Sequence, residues 1–212
     1  GLAPGSSGKG LQAYRAAGIL TDHESTSYAE ALEKLRAGMA VLVREGSASK
    51  NLRDILTRVL RDRVCTRNMA FCTDDKHLAD IRREGTIRQN LRLAVSLGMN
   101  PVEAVQMATI NAARIYRLER LGAVAAGYKA DLVVFEDLEQ FPVRAVYKDG
   151  ARVGLEGAFP GSGSPDRAED RVFHSVHVAP LDEASFALPP REQYPVIRIL
   201  PGQIVTQRGT VA

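Results

Sequence analysis

The sequence predicts an α/β fold, in which a parallel sheet alternates with helices and then gives way to a β-rich part. Three observations carry that prediction. Short, continuously apolar runs such as Met39–Val43 and Met69–Cys72 alternate with amphipathic helical stretches, the pattern of strands buried on both faces. Three successive strand candidates stop in polar clusters: Asp22-His23-Glu24, Arg44 to Ser47, and Asp74-Asp75. In parallel α/β folds, groups just past the carboxyl ends of strands lie on the face where chemistry is done. After Tyr116 the periodicity changes to that of strands and tight turns.

Taken in order, Gly1 to Gly10 is rich in Gly and Ser and is expected as loop. Leu11 to Ala17 has helical character, and Gly18 is placed to stop it. Ile19 and Leu20 fit a very short strand running into Asp22-His23-Glu24. Ser27-Tyr28-Ala29-Glu30 is a capping box, which puts a helix start at Ser27 with Leu32 and Leu35 facing inward and Gly38 at its end. The Met39–Val43 strand then leads into Arg44-Glu45-Gly46-Ser47. Leu52, Ile55, Leu56, Val59 and Leu60 fall on one face of the next helix. The Met69–Cys72 strand follows and ends at two adjacent carboxylates. Ile87, Leu91, Ala94 and Val95 mark a helix stopped by Gly98, and Asn100-Pro101 caps and opens another. Asn111 is read as the cap of a short helix to Tyr116. These elements define a first unit, residues 1–116. In residues 117–153, Ala130–Phe135 is a strand. Val143–Tyr147 and Ala151–Val153 form a hairpin whose Asp149-Gly150 turn is of the primed type. Residues 154–170 are rich in Gly, Pro and Ser and read as a linker. Residues 171–212 begin a further β-rich piece, with strands at Arg171–Val178 and Pro195–Leu200.

The bulk properties are those of a globular protein: 212 residues, 45% hydrophobic and 25% charged. The net charge of +3 comes with no basic run, so no nucleic-acid footprint is visible. Cys65 and Cys72 offer neither a disulfide framework nor a Cys-x-x-Cys zinc spacing, which favours a reduced, cytoplasmic setting. No apolar run approaches the roughly 20 residues of a membrane span, and no signal-peptide pattern is present. The chain starts without Met, as expected of a fragment or a processed chain. A P-loop, a strand-linked GxGxxG, a nucleophile elbow and the cytidine-deaminase zinc pattern are all missing.

Chemistry therefore concentrates at the strand ends. An imidazole at His23 and a carboxylate at Asp74, from different strands, can together hold a divalent metal with a position open for water. The alternative for His23 is a histidine satisfied by its neighbours, and for the Asp74-Asp75 pair a simple loop cap. Arg44 and Ser47 are candidates to bind a polar substrate, although Arg44 could equally pair with a carboxylate. Lys50 reads as a solvated helix residue and His77 as a loop histidine. His174 and His177 lie at odd spacing and face opposite sides of a strand.

Several stretches then point further. Ala17-Gly-Ile-Leu-Thr-Asp-His-Glu-Ser25, Arg44-Glu-Gly-Ser-Ala-Ser-Lys-Asn51 and Phe71-Cys-Thr-Asp-Asp75 resemble the bacterial adenine deaminase family of the metal-dependent amidohydrolase superfamily. Leu121 to Val134 is similar to that superfamily's return into a small β-domain. Val196-Ile-Arg-Ile-Leu-Pro-Gly-Gln-Ile-Val-Thr206 is similar to the start of the family's carboxy-terminal domain.

The resemblance implies the second half of a (β/α)8 metal-dependent hydrolase barrel, followed by segments of the small β-domains. It also implies hydrolysis of adenine to hypoxanthine and ammonia. His23 matches a metal-binding histidine at the end of the sixth strand, and Asp74 the metal-bound, catalytic aspartate at the end of the eighth. Asp75, Arg44 and Ser47 would lie near the substrate. The implied cofactor is a divalent metal, manganese or iron with zinc as an alternative, binuclear in the family. The implied partner is adenine, with no nucleic acid and no membrane, and a homo-oligomer is expected for the complete protein. The family's paired histidines of the first strand and its bridging residue are not in this chain. Gly1-Leu-Ala-Pro-Gly-Ser-Ser-Gly8 departs from the family's Gly-His-x-Pro-Gly-x-Ser-Gly, with Leu2 where a metal-binding histidine is expected. Two alternatives remain open: a hydrolase of another cyclic amide or amidine, and a catalytically silent paralogue or half-protein.

Overall fold

The computed structural model describes residues 1, 3–158, 173 and 175–211. Its first sheet is parallel, with strands β1 (Thr21–Asp22), β2 (Ala40–Arg44) and β3 (Met69–Cys72) in that order. Val41 pairs with Met69 and Arg44 with Cys72. All five residues of β2 are buried: Ala40 to Val43 as their unbroken apolar run requires, and Arg44 although it is charged. The first strand sits two residues beyond the expected Ile19-Leu20, because Thr21 and Asp22 are the residues in register with Ala40 and Val41.

Helices α1 (Gly8–Ala16), α2 (Tyr28–Arg36) and α3 (Leu52–Arg61) alternate with these strands. The apolar face of α3 is buried at Leu52, Ile55, Leu56 and Val59, each contributing about 1.5–3 kcal/mol. Ser27 caps α2 by accepting from the Glu30 N–H at 3.4 Å. The return half of the expected capping box differs: the Glu30 carboxylate accepts from the backbone and hydroxyl of Thr26 and from Lys34. Leu32 and Leu35 only flank the core, while Tyr28, Ala31 and Lys34 point deepest.

Four helices follow β3: α4 (Leu78–Glu84), α5 (Ile87–Ser96), α6 (Pro101–Ala108) and α7 (Ile110–Ile115). Asn100 caps α6 as its Asn-Pro signature requires, accepting from the Val102 N–H at 2.9 Å. Asn111 is not a cap. It lies inside α7, buried, and its amide donates to the Thr66 and Met69 carbonyls, tying α7 to the start of β3. Helix α4 has no buried residue and therefore no periodic apolar signal. It is capped by His77, whose Nδ1 accepts from the Ala79 N–H at 3.4 Å.

A second sheet is antiparallel, formed by β4 (Leu132–Phe135), β5 (Val143–Lys148) and β6 (Ala151–Leu155). Asp149 and Gly150 both have positive φ, 51° and 80°, as a primed hairpin turn requires. Phe141 is buried in the main core and meets Phe135 edge-on at 5.3 Å. Strands β7 (Tyr194–Ile199) and β8 (Thr206–Val211) form a separate hairpin. The expected strand at Arg171–Val178 is not seen over Ser175–Val178, where four exposed residues lack regular structure. The rest of that stretch, His174 included, lies outside the described residues apart from Phe173, as does most of the 154–170 linker.

Candidate active site

The three polar strand ends meet, but not all their side chains turn the same way. Asp22 turns away from the strand-end opening. It is buried and accepts from the Lys34 ammonium at 2.8 Å, from the Ser25 hydroxyl at 2.8 Å and from the Ala3 N–H at 3.0 Å. Burial opposes its charge, yet these partners hold its carboxyl below the usual range. Lys34 also donates to Glu30 at 2.7 Å and to the Ala3 carbonyl at 2.8 Å. A buried ionic knot therefore anchors the residue immediately before His23.

His23 and Asp74 converge. His23 Nε2 lies 3.7 Å from Asp74 Oδ1, and both side chains are about one-third exposed, so the pair faces an opening. Asp74 has φ of +50°, a conformation uncommon for a residue with a Cβ and a mark of an over-determined position. Its other oxygen, Oδ2, accepts from Arg44 Nη1 at 3.0 Å. Arg44 is buried, and its Nη2 donates to Asn51 Oδ1 at 3.2 Å. The arginine is thus held by a carboxylate and an amide, the pairing left open by the sequence.

Asp75 and Ser47 are also engaged with the protein. Asp75 Oδ2 accepts from the Ala48 and Ser49 N–H groups at 2.9 and 3.2 Å. Gly46 makes this approach possible, because a Cβ there would sit 1.5 Å from Asp75 Oδ1. Ser47 accepts from the His77 N–H at 2.8 Å and donates to Asp80 at 2.5 Å. The two residues fasten the loop after β2 to the loop after β3. Lys50 is exposed, as expected, but lies ahead of α3 in an isolated bridge to Glu45 and not in the helix, and His177 is exposed in an irregular segment. Leu2 and His174 lie outside the described residues. Cys72 points toward the Leu42 carbonyl, and burial pushes its thiol up to about 12, so it offers no thiolate.

Sequence reasoning did not single out Lys34, Asn51 or Asn90. Lys34 carries no mark within the helix that starts at Ser27, and Asn51 enters only as the last residue of the Arg44–Asn51 stretch. Asn90 is fully buried on α5 and donates to the Cys72 carbonyl at 3.0 Å, fixing the end of β3. Only the polarity of Asn90 on an otherwise apolar helix face hinted at it. A wide apolar cleft of about 750 Å³ lies between α5, α6 and the second sheet, with Leu91, Val105, Leu132 and Val146 among its walls. It contains neither His23 nor Asp74, and the polar strand ends carry the chemical argument.

The parallel α/β core thus brings a histidine and a carboxylate together from the ends of the two strands that flank β2, and the chain belongs to the amidohydrolase family, which residues 5–153 match. Within that family, it is 43% identical over 208 residues to an adenine deaminase of Petrotoga mobilis, covering 97% of this chain. It is 44% identical over 211 residues to adenine deaminase 2 of Carboxydothermus hydrogenoformans, covering 98%. The chain spans 36% of the length of each. The fold is also similar to a β-aspartyl dipeptidase of Fervidobacterium islandicum, with a TM-score of 0.59 at 16% identity, over 76% of this chain and 48% of that one.

The family implies a divalent metal. The donors here fit one in part. An imidazole nitrogen and a carboxylate oxygen suit a divalent transition metal. Two such donors on one ion with bonds of about 2.1 Å stand roughly 3 to 3.6 Å apart, close to the spacing of His23 and Asp74. Arg44 occupies only Oδ2 of Asp74, which leaves Oδ1 for a ligand role. Among the described residues no group of three or more His, Cys, Asp or Glu that could hold a metal ion is gathered.

Proposed function

We propose that this chain is the part of an adenine deaminase that carries the second half of its (β/α)8 barrel, residues 1–116. Residues 117–153 would supply strands of the small β-domain, 154–170 a linker and 171–212 the start of a carboxy-terminal domain. The reaction is hydrolytic: adenine and water give hypoxanthine and ammonia. The observation that carries the reading is the likeness to adenine deaminases along nearly the whole chain, strand ends included.

His23 and Asp74 would hold the metal, manganese or iron with zinc as the alternative. When bound, it supplies a water acidic enough to ionise near neutral pH. With the metal in place, Asp74 would serve as the general base and acid, taking up a proton from water and giving it to the ring nitrogen or the departing amine. Arg44 holds Asp74 through Oδ2 and keeps that carboxylate oriented. Asp75 and Ser47 shape the adjoining loops, and through them the space in which a purine is seated. The complete protein is read as a cytoplasmic homo-oligomer that binds no nucleic acid and no membrane; among the described residues no helix is long and apolar enough to cross a membrane.

The test is loss of adenine ultraviolet absorbance with the full-length protein and added manganese or iron. Turnover supports the reading. A folded, metal-loaded protein that leaves adenine untouched and opens a cyclic amide would replace it with another amidohydrolase activity. Leu2, where the family pattern has histidine, favours a second reading, a catalytically silent paralogue. That reading requires the full-length protein to bind no stoichiometric transition metal, which elemental analysis decides.

A further inference from the structure

We infer that the turn joining β7 and β8 forms part of the active-site wall, and that Gln203 in it is a positioning residue for Asp74. The inference rests on the role given to Asp74 above. Four polar contacts carry it. The Lys50 N–H donates to the Gly202 carbonyl at 3.0 Å. Asn51 Nδ2 donates to Gln203 Oε1 at 3.0 Å. Asn51 Oδ1 accepts from Arg44 Nη2 at 3.2 Å, and Arg44 Nη1 donates to Asp74 Oδ2 at 3.0 Å. The chain of contacts therefore runs Gln203, Asn51, Arg44, Asp74.

Its polarity is dictated by the arginine. A guanidinium has donors and no acceptor, so the Asn51 oxygen must face Arg44 and its NH₂ must face outward. Only an acceptor can meet that NH₂, and Gln203 presents its oxygen. The other acceptor near Asn51 Nδ2, the Thr26 carbonyl, lies at 3.4 Å, the limit of a useful bond. Arg44 and Asn51 are both buried, so neither can exchange these partners for bulk water. The hairpin itself is largely exposed along its strands, Ile197 and Ile199 included, and it meets the strand-end face through its turn. Without Gln203 the Asn51 NH₂ keeps only the long Thr26 contact, and the Asn51 oxygen that receives Arg44 Nη2, the one contact besides Asp74 that orients the guanidinium, is held less firmly.

The experiment uses the full-length protein with two variants. Gln203→Met keeps the length of the side chain and removes the acceptor, whereas Gln203→Glu keeps an oxygen at that place. For Gln203→Met we expect kcat for adenine to fall roughly ten- to a hundredfold, the range for groups that orient a metal ligand. KM should stay within about twofold, since orientation and not substrate contact is lost. Gln203→Glu should recover most of kcat. In the metal-free protein, amide hydrogen exchange over residues 44–51 should accelerate about tenfold in Gln203→Met and stay near wild type in Gln203→Glu. An unchanged kcat in Gln203→Met, an equal loss in both variants, or a rise confined to KM would overturn the inference. If the wild-type protein leaves adenine untouched, the deaminase reading fails on its own. Exchange over residues 44–51 then decides, and equal exchange in all three proteins sinks the inference.

Discussion

Asp74 carries the most weight of any single side chain, because among the described residues it is the one that meets both the imidazole of His23 and the guanidinium of Arg44. Asp74→Asn in the full-length protein should abolish adenine turnover while leaving the unfolding midpoint near wild type. Near-normal turnover would remove Asp74 from the mechanism. Gly46 is the complementary case, a residue that matters for what it lacks. A Cβ there would meet Asp75 Oδ1 at 1.5 Å, well inside contact distance. Gly46→Ala should therefore push Asp75 off the Ala48 and Ser49 amides and cost about 1–3 kcal/mol in urea unfolding. Gly46→Ala combined with Asp75→Ala should cost less than the sum of the two changes, since both disturb one contact. Strict additivity would show that the glycine is needed for some other reason. These residues were visible in the sequence as a polar cluster. Their partners were not, since Asp75 and Gly46 meet across the ends of two strands.

Among the elements, α2 is fastened to β1 by charge as well as by apolar packing. Lys34 sits where the helix faces inward, fully buried between Asp22 and Glu30. Lys34→Met would leave those carboxylates facing a low-dielectric interior without a cation. A loss of about 3–5 kcal/mol is expected, read from urea unfolding. Adding Asp22→Asn should return part of it; no recovery would mean that the lysine acts through its packing. Legibility at this scale follows the amount of buried apolar surface. Helix α3 was readable because four of its apolar residues point into one core. Helix α4 was not, because none of its residues is buried. It is held by the Lys76–Glu84 and Arg83–Asp80 pairs and by Ser47, which no periodicity reports.

For the molecule as a whole, one acid-sensitive joint stands out. The Lys76 ammonium bonded to Glu84 holds that carboxyl at about 2, below its ordinary 4.5, with Arg83 adding to the effect. A carboxyl lowered on folding contributes stability that is complete above the unfolded value and is lost as pH falls toward the folded one. Between about pH 4.5 and 2, the stability of the full-length protein should therefore decline, and Glu84→Gln should flatten part of that decline. An identical pH profile in the variant would show that this pair does not report on folding. Because Lys76 directly follows Asp74 and Asp75, the same joint steadies the loop that carries the candidate site.

The alternation of apolar strands and helices, the Asp149-Gly150 hairpin turn, the caps at Ser27 and Asn100, and the likeness to amidohydrolases are all legible in the order of the amino acids. Each is written in neighbouring residues, through burial periodicity or the conformational needs of a turn. Which polar groups meet is a matter of how the elements pack in three dimensions. Asp22 turns inward to Lys34 while His23, next to it, turns to Asp74. Arg44 reaches Asp74 across the register that pairs it with Cys72, and Asn51 reaches Gln203 across 152 positions of sequence. Periodicity tells which face of an element is buried. The partner on that face is set by register and by the packing of distant segments, which no local pattern encodes.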